Sequence, residues 1–270
     1  MGDPNGTAPE PMFDLTGQTA VVTGGGTGIG RATALVLAEH GADVVLASRR
    51  VENLERVAAE VQARHRRSLV VPTDVRDADA CEALVARAVE TFGQLDILVN
   101  NAGGSHSRAL GDWDVDSWQN SIDLNLRSVF LLSQAAARHM MSRQQGSIVN
   151  ISSGAAEHGL PFVAPYGAAK AGVENLTASF AAGLAPHGVR VNCVGVGAIK
   201  SEGFLRAMAR IGQDPDVVGG RSNGFNRAGL PEEIAWPILF LVSPAASFVS
   251  GQTLYVGGPP AVPGFADPSR

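Results

Sequence analysis

The stretch Thr23-Gly-Gly-Gly-Thr-Gly-Ile-Gly30 lies between strand-forming residues, Gln18 to Val22, and a segment typical of a helix that begins at Arg31. Glycine lacks a β-carbon, so a glycine-rich turn adopts positive φ angles and lets another group approach its bare amides. Amides at a helix start point outward unpaired, and the helix dipole adds positive potential there. The stretch therefore predicts a phosphate site at a strand-to-helix turn, with close backbone packing by the glycines as the alternative.

The spacing of these glycines is not the general dinucleotide pattern G-x-G-x-x-G. The chain instead has T-G-x-x-x-G-x-G, formed by Thr23, Gly24, Gly28 and Gly30. A glycine cluster taken alone does not decide between a phosphate site and close packing. Other residues of the chain must therefore decide it.

The composition is typical of one α/β domain of 270 residues, with 45% hydrophobic residues and a formal net charge of −5. The local basic cluster His65-Arg66-Arg67 has no extension, so a nucleic-acid partner has little support. The two cysteines, Cys81 and Cys193, are too few and too far apart for a disulfide framework or a metal-ligand pattern. We expect no metal site and two buried thiols.

The two ends of the chain differ in composition from the middle. Residues 1–13 and 259–270 are rich in proline, glycine and polar residues, which predicts flexible tails. The first residues lack the pattern of a signal sequence, and no apolar run approaches the roughly 20 residues that span a membrane. We expect a cytoplasmic protein that does not associate with membranes.

Between the tails, short apolar runs alternate with longer segments of helical period. This alternation predicts a single doubly wound Rossmann-type α/β domain over residues 14–258, with a seven-stranded parallel sheet and helices on both faces. In such sheets ligands bind beyond the carboxyl ends of the strands. The predicted strands are residues 20–23, 43–48, 69–72, 95–99, 147–151, 189–194 and 253–256.

The second predicted strand ends in Ser48-Arg49-Arg50, about 20 residues after the glycines. A dinucleotide fold uses this position for a carboxylate that binds the adenosine 2′-hydroxyl, or for a cation that binds a 2′-phosphate. Ser48 donates a hydrogen bond, and one or both arginines offer a planar fork of donors to a phosphate. The position therefore favours NADP(H), with NAD(H) still possible. The alternative is that Ser48 caps the next helix and the arginines are only solvated.

The strongest signal lies in residues 146–170, where a strand ends at Ser153 and Tyr166-Gly-Ala-Ala-Lys170 follows. A tyrosine and a lysine four residues apart share one helix face. A phenol is a poor base at neutral pH, but a nearby ammonium and an oxidised nicotinamide would lower the pKa of Tyr166. The phenol would then exchange a proton with a carbinol oxygen, while Ser153 donates a hydrogen bond to that oxygen.

With these motifs the chain resembles the short-chain dehydrogenase/reductase family of single-domain, usually tetrameric NAD(P)-dependent oxidoreductases. The resemblance covers residues 17–258. It rests on five motifs in family order: residues 23–30, Asp74-Val75, Asn100-Asn-Ala-Gly103, Ser153 with Tyr166-Gly-Ala-Ala-Lys170, and residues 197–201, together with Asn125.

The resemblance implies a role for each matched residue. Lys170 would hold the nicotinamide ribose, and Asn125 would position a water that leads from Lys170 to solvent. The step of thirteen residues back from Tyr166 selects Ser153 rather than Ser152. Asn125 as a helix-bending residue and Ser153 as a strand-end cap remain alternatives. Candidate catalytic residues are Asn125, Ser153, Tyr166 and Lys170; candidate cofactor-binding residues are Thr23, Gly24, Thr27, Gly28, Ile29, Gly30, Ser48, Arg49, Arg50, Asp74 and Val75 beside the adenine, Asn101, Ala102, Gly103, Tyr166, Lys170, Gly197, Ile199 and Ser201.

Residues 199–226 correspond to the family's lid over the substrate. Apolar residues at helical spacing in this segment, with Phe162 and Val163, suggest a largely apolar small-molecule substrate, although a lid that packs on its own core is an equal alternative. The sequence thus predicts an NADP(H)-preferring carbonyl reductase or secondary-alcohol dehydrogenase, similar to 3-oxoacyl-carrier-protein reductases of the family, and the resemblance implies a homotetramer. A non-catalytic NADP(H) sensor and an enoyl-thioester reductase are the competing hypotheses.

Overall fold

A computed structural model of the protein describes residues 12–221 and 223–259. The predicted tails therefore lie almost wholly outside the described residues. Seven parallel strands form one sheet in the order β3-β2-β1-β4-β5-β6-β7, which confirms the predicted fold class. The strands are β1 (Thr19–Thr23), β2 (Asp43–Ser48), β3 (Ser68–Pro72), β4 (Ile97–Asn100), β5 (Gly146–Ser153), β6 (Val189–Val196) and β7 (Thr253–Val256).

The helices connect successive strands and cover both faces of the sheet, as the parallel pairing requires. Glycines and prolines inside the chain coincide with several of their ends; α3, for example, is followed by Gly93 in the left-handed conformation. The helices are α1 (Gly28–Glu39), α2 (Val51–Gln62), α3 (Ala78–Phe92), α4 (Val115–Ile122), α5 (Ser128–Arg143), α6 (Ala164–Leu184), α7 (Glu202–Arg210), α8 (Pro215–Gly220) and α9 (Glu232–Val242).

The core consists of two large apolar clusters, one on each face of the sheet. Successive residues of a strand point to opposite faces, so Val44 and Leu46 of β2 lie in one cluster while Val45 and Ala47 lie in the other. Helices α1, α2 and α9 cover the first face, and α3, α5 and part of α6 cover the second. Because the strands are buried on both faces, their sequences are continuous apolar runs rather than alternations of apolar and polar residues.

The helix starts differ in how their amides are satisfied. Asp77 caps α3 by accepting hydrogen bonds from the amides of Asp79 and Ala80 at 2.9 and 3.1 Å. At α1, by contrast, the side chain of the N-cap residue Thr27 makes no capping hydrogen bond, and the first turn has no acidic residue. The start of α1 is thus left open to an anion.

The chain reverses its direction across the sheet between β3 and β4, so the carboxyl ends of β1 and β4 form the point where a doubly wound sheet binds ligands. Helices α7 and α8 follow β6 at the same edge, within the segment predicted to be the lid. Lys200 and Asp216 form an ion pair of 2.8 Å that joins the start of this segment to α8. None of the described helices combines the length and apolar character needed to cross a membrane.

Candidate active site

A cleft of about 680 Å³ opens at the carboxyl edge of the sheet. Its walls come from the glycine-rich turn, the segment after β4, the end of β5, the start of α6 and the segment from β6 to α7. Most of the predicted site residues line it: Gly24, Thr27, Gly28, Ile29, Asn101, Ala102, Gly103, Ser153, Tyr166, Lys170, Gly197, Ile199 and Ser201.

The glycine-rich turn forms one end of the cleft, here called the phosphate end. Gly24 and Gly28 have φ angles of +66° and +53°, which disfavour any residue with a side chain. The amides of Gly28, Ile29 and Gly30 have no hydrogen-bond acceptor among the described residues. Unpaired amides at a helix start, where Gly28 and Ile29 line the cleft, fit the diphosphate of a dinucleotide.

Thr23 and Gly30 lie behind this surface and do not line the cleft. A β-carbon on Gly30 would lie 2.2 Å from the carbonyl oxygen of Gly24, so the close-packing interpretation applies to Gly30. The Thr23 hydroxyl accepts hydrogen bonds from the amides of Asn101 and Ala102, both at 3.0 Å. These contacts hold the ends of β1 and β4 together beneath the cleft.

Of the residues predicted beside the adenosine, Asn101, Ala102 and Gly103 line the main cleft, whereas Asp74, Val75 and residues 48–50 lie outside it. Arg76 donates to Asp74 from Nε at 3.0 Å, and this hydrogen bond, with a smaller contribution from Arg49, lowers the pKa of Asp74 to about 2. Arg49 and Arg76 line a second pocket of about 360 Å³. Val75 is buried, so its backbone rather than its side chain is available.

The side chains at the carboxyl end of β2, residues 48–50, do not cap helix α2. Arg50, not Ser48, is the N-cap residue of α2, and its side chain makes no capping hydrogen bond. Within the described chain, the side chains of Ser48, Arg49 and Arg50 make no hydrogen bond, and Arg49 and Arg50 are exposed. The alternative in which Ser48 caps α2 is therefore wrong, and all three side chains are free to bind a ligand.

Tyr166 and Lys170 lie one turn apart at the start of α6 and form the other end of the cleft, here called the catalytic end. The Lys170 ammonium is 5.6 Å from the centre of the Tyr166 ring. It is buried and donates a hydrogen bond of 2.7 Å to the carbonyl oxygen of Ile151 in β5. Since β5 also carries Ser153, this hydrogen bond holds Tyr166 and Lys170 of α6 close to the strand that positions Ser153.

Burial changes the pKa values of both groups. Desolvation raises the pKa of Tyr166 above its ordinary value, partly offset by a hydrogen bond with the side chain of Ser153. Desolvation lowers the pKa of Lys170 to about 8, against a smaller opposing effect of Cys193. The protein groups around Tyr166 therefore do not by themselves produce the lowered pKa that the sequence argument expects from Lys170.

The two adjacent serines have different partners. The Ser153 side chain lines the cleft together with Tyr166, whose pKa it lowers, and its hydroxyl accepts a hydrogen bond of 3.2 Å from the amide of Ala155, so it caps the following turn as well. The buried Ser152 donates to the carboxylate of Glu174 at 2.7 Å. The geometry thus favours Ser153 over Ser152 as the candidate catalytic serine.

Asn125 lies in a π-helical turn, Asp123–Arg127, between α4 and α5. Its amide nitrogen donates to the carbonyl oxygens of Gly104 and Ser121 at 2.9 and 3.0 Å, and its oxygen accepts from the Gly104 amide at 3.0 Å. A β-carbon on Gly103 would lie 2.8 Å from the Asn125 oxygen and 3.5 Å from the Lys170 ammonium. Gly103 thus lies between these two groups, and single π turns of this kind often occur at functional sites.

Two features of the site have no counterpart in the sequence argument. Glu174, one turn after Lys170, accepts hydrogen bonds from Ser152 and from Tyr255 of β7, each at 2.7 Å. Arg206 of α7 lines the cleft, although the predicted lid was interpreted as apolar. Their spacing on amphipathic helices is the only signal in the sequence, and it does not show which face meets the site.

Residues near the substrate side of the cleft, including two histidines and a tryptophan that could line a substrate pocket, lie in different places. Val163 lines the main cleft, whereas Phe162 is exposed and does not. His106 and Trp113 line the second pocket near Arg49, and His158 lies in another surface depression. Ser201 lines the cleft and caps α7 by accepting a hydrogen bond of 3.3 Å from the Phe204 amide.

Comparison with known proteins agrees with this geometry. Residues 18–209 match the short chain dehydrogenase family model. The chain is 42% identical to a cis-4-hydroxycyclohexanecarboxylate dehydrogenase of Sinomonas cyclohexanicum over 242 residues, 89% of this chain and 95% of that enzyme. It is 38% identical to a 3-oxoacyl-acyl-carrier-protein reductase of Synechocystis sp. over 249 residues, 92% of this chain and 98% of that enzyme.

A solved structure of a 7α-hydroxysteroid dehydrogenase, complexed with NADH and 7-oxo glycochenodeoxycholic acid, superposes with a TM-score of 0.88 at 32% identity. The match covers 94% of this chain and 98% of that enzyme. The doubly wound sheet with its open helix start and its serine, tyrosine and lysine defines an oxidoreductase of the Rossmann-type class. The chain belongs to the short-chain dehydrogenase/reductase family.

Proposed function

We propose that the protein transfers a hydride between NADP(H) and a ketone or secondary alcohol. One observation carries this proposal: Ser153, Tyr166 and Lys170, whose ammonium is 5.6 Å from the centre of the phenol ring, lie in the same cleft as the unpaired amides of the glycine-rich turn. Proton exchange and binding of a dinucleotide diphosphate are thus available in one cavity. We further propose that residues 14–258 are the catalytic domain and residues 199–226 its lid.

In the proposed mechanism a dinucleotide held by the glycine-rich turn and Lys170 would supply or accept the hydride. During reduction, Tyr166 donates its phenolic proton to the carbonyl oxygen as the hydride reaches the carbonyl carbon, so that an alcohol forms. Ser153 donates a hydrogen bond to the same oxygen and stabilises its developing charge. The phenolate that remains is stabilised by the nearby ammonium of Lys170, and it regains a proton from solvent.

The remaining candidates support this chemistry. Lys170 would bind the ribose hydroxyls, and Asn125, fixed by its three hydrogen bonds, would position a water on the route from Lys170 to solvent. At the other side of the cofactor, Ser48 and Arg49 would bind a 2′-phosphate, which is our reason for proposing NADP(H) rather than NAD(H). Arg49 is the stronger arginine candidate because it lies near Asp74.

The walls of the cleft beside Tyr166 support a substrate with an apolar body. Leu160 and Val163 line it from the segment between β5 and α6, and Phe204 and Ala207 line it from α7. Names of the relatives indicate alicyclic and acyl substrates with secondary hydroxyl or keto groups, which agrees with such a body. Exposed apolar residues of α4, α5 and β7, among them Trp118, Phe130 and Leu254, support our proposal of a homotetramer. We also propose that the protein is cytoplasmic.

Tyr166→Phe tests the proposed function directly. We expect it to lower the rate of ketone-dependent NADPH oxidation about 100- to 10,000-fold, the usual contribution of general acid catalysis, while NADPH binding measured by fluorescence changes little. Tyr255→Phe is the matched control, since it removes the hydroxyl of the other tyrosine, in β7. A Tyr166→Phe enzyme with full activity would overturn the assignment. An inactive wild type that still binds NADPH would favour the sensor hypothesis.

A further inference from the structure

The described walls of the main cleft have an uneven distribution of charge. No acidic side chain lines it, and the cationic side chains are those of Lys170 and Arg206. Lys170 is buried, donates to the Ile151 carbonyl and already has a place in the proposed mechanism. Arg206 is exposed on α7 and has no place in it. A positive charge at the substrate side of the cleft thus remains to be explained.

Arg206 also lacks a partner in the part of the chain that the structure describes. Its side chain makes no hydrogen bond or ion pair with the described residues, whereas Arg227, just after the same lid, is bound by Glu233. Glu202 is four residues earlier on α7, a spacing that suits an ion pair. The Glu202 carboxylate instead lies against the glycine-rich turn, 3.3 Å from where a β-carbon on Gly28 would be. The guanidinium of Arg206 is therefore free to bind a ligand.

The position of Arg206 favours the substrate over the cofactor. A helix rises 1.5 Å per residue, so Arg206 lies about 6 Å along α7 from Glu202, which contacts the phosphate end. Gly203, Phe204 and Ala207 line the cleft together with Arg206. The unpaired amides of the glycine-rich turn already provide for a diphosphate. Arg206 thus adds a positive charge to an otherwise apolar part of the lid.

We infer that Arg206 is a specificity-determining residue that binds a carboxylate of the substrate, while the apolar walls hold the body that carries the ketone or secondary alcohol. A guanidinium presents paired donors that match the two oxygens of a carboxylate. Closure of α7 over the substrate would remove water from this pair and strengthen it. The inference rests on the proposed function, because it names the substrate class of that same site.

The test compares matched pairs of substrates. We would measure NADPH-dependent reduction of 4-oxocyclohexanecarboxylate and 6-oxoheptanoate, each beside its methyl ester, and take the ratio of kcat/KM for acid over ester. The ester keeps the apolar body and removes the charge. The wild type should prefer the acids, and Arg206→Gln should lower the ratio about tenfold or more, mainly through KM, since a hydrogen bond to a charged group contributes roughly 1.5–3 kcal/mol.

Arg210→Gln is the matched control, because Arg210 is an exposed arginine on the same helix that does not line the cleft. It should keep the wild-type ratio. The inference is overturned if the wild type prefers neither acid, or if Arg206→Gln keeps the ratio. A rise in the KM for NADPH with an unchanged ratio would instead assign Arg206 to the cofactor phosphates.

Failure of the proposed function gives a different result. In that case neither the acids nor the neutral esters would be reduced. Calorimetric titration of the protein with NADP⁺ bound would then still measure whether the two keto acids bind and whether Arg206→Gln weakens them about tenfold relative to Arg210→Gln, as a guanidinium-carboxylate pair requires. Equal binding to both variants would overturn the inference independently of catalysis.

Discussion

The phosphate end of the cleft is formed by backbone atoms, whereas the catalytic end is formed by side chains. At the phosphate end, backbone amides and glycines form the surface, and a β-carbon on Gly30, just behind it, would collide with the Gly24 carbonyl oxygen. At the catalytic end, side chains from β5 and α6 form the surface, and Lys170 is buried with one hydrogen bond. The phosphate end keeps its shape only if no β-carbon is added to its glycines. The catalytic end requires a charged side chain that is buried away from water.

This difference predicts how each end fails. A β-carbon added at the phosphate end meets backbone that cannot move aside by changing a rotamer, so stability and cofactor binding should be lost together. A catalytic side chain carries a desolvation cost, so its removal should eliminate turnover and leave the fold intact or more stable. Substitutions at the two ends should therefore separate stability from activity in opposite ways.

Gly30→Ala should have the largest effect on stability. Its β-carbon would lie 2.2 Å from the Gly24 oxygen and 2.6 Å from the Asn101 amide nitrogen. We expect a loss of about 3 kcal/mol in the free energy of unfolding, the upper part of the range for overpacking, measured by urea denaturation, with weaker NADPH binding. Gly183→Ala in α6 is the control, because nothing lies within 4 Å of its β-carbon. A Gly30→Ala variant as stable as Gly183→Ala would contradict the comparison.

Arg49→Asp tests whether the adenosine side depends on side chains rather than backbone. We expect kcat/KM with NADPH to fall about 10- to 100-fold, because a charge-assisted hydrogen bond is replaced by repulsion, while activity with NADH is kept or improved. Arg50→Asp introduces the same change of charge one residue away, at the N-cap position of α2. An equal loss in both variants would mean that general charge, not a contact of Arg49, sets the preference.

Much of the fold was predictable from the sequence because each strand is buried on both faces. The seven apolar runs all coincide with strands, and their ends differ by at most a few residues; Leu95, for example, precedes β4. Such runs can be recognised as strands without tertiary information, because a sheet covered by helices on both sides has no polar face. The open start of α1 was predictable for the same local reason, through the glycines of one short segment.

The catalytic end was predictable in its residues but not in its electrostatics. The spacing of Tyr166 and Lys170 places them on one helix face, which is a local property. The raised pKa of Tyr166 arises from burial by segments distant in sequence, which spacing does not reveal. Glu174 and Arg206 were missed for the same reason, because the partners of an amphipathic helix depend on its rotation against the sheet and the cleft.

Lys170→Met should have the smallest effect on stability. We expect it to stabilise the protein, which is the opposite of the effect expected for Gly30→Ala at the phosphate end. In the folded protein the pKa of Lys170 is lowered to about 8, whereas an unfolded lysine has about 10.4. Between these values the unfolded chain binds more protons, so the stability of the wild type rises as the pH rises through this window. At pH 7 both states carry the charge and the desolvation cost is fully present.

Lys170→Met removes that cost together with the hydrogen bond to Ile151, so we expect the variant to be more stable than the wild type at pH 7 by about 1 kcal/mol. This advantage should shrink between pH 8 and about 10.5 as the wild-type lysine loses its proton. Urea denaturation of both proteins across this range measures it, and activity should be lost at every pH. A variant that is less stable at pH 7, with a difference independent of pH, would show that the catalytic end carries no desolvation cost and that the contrast with the phosphate end fails.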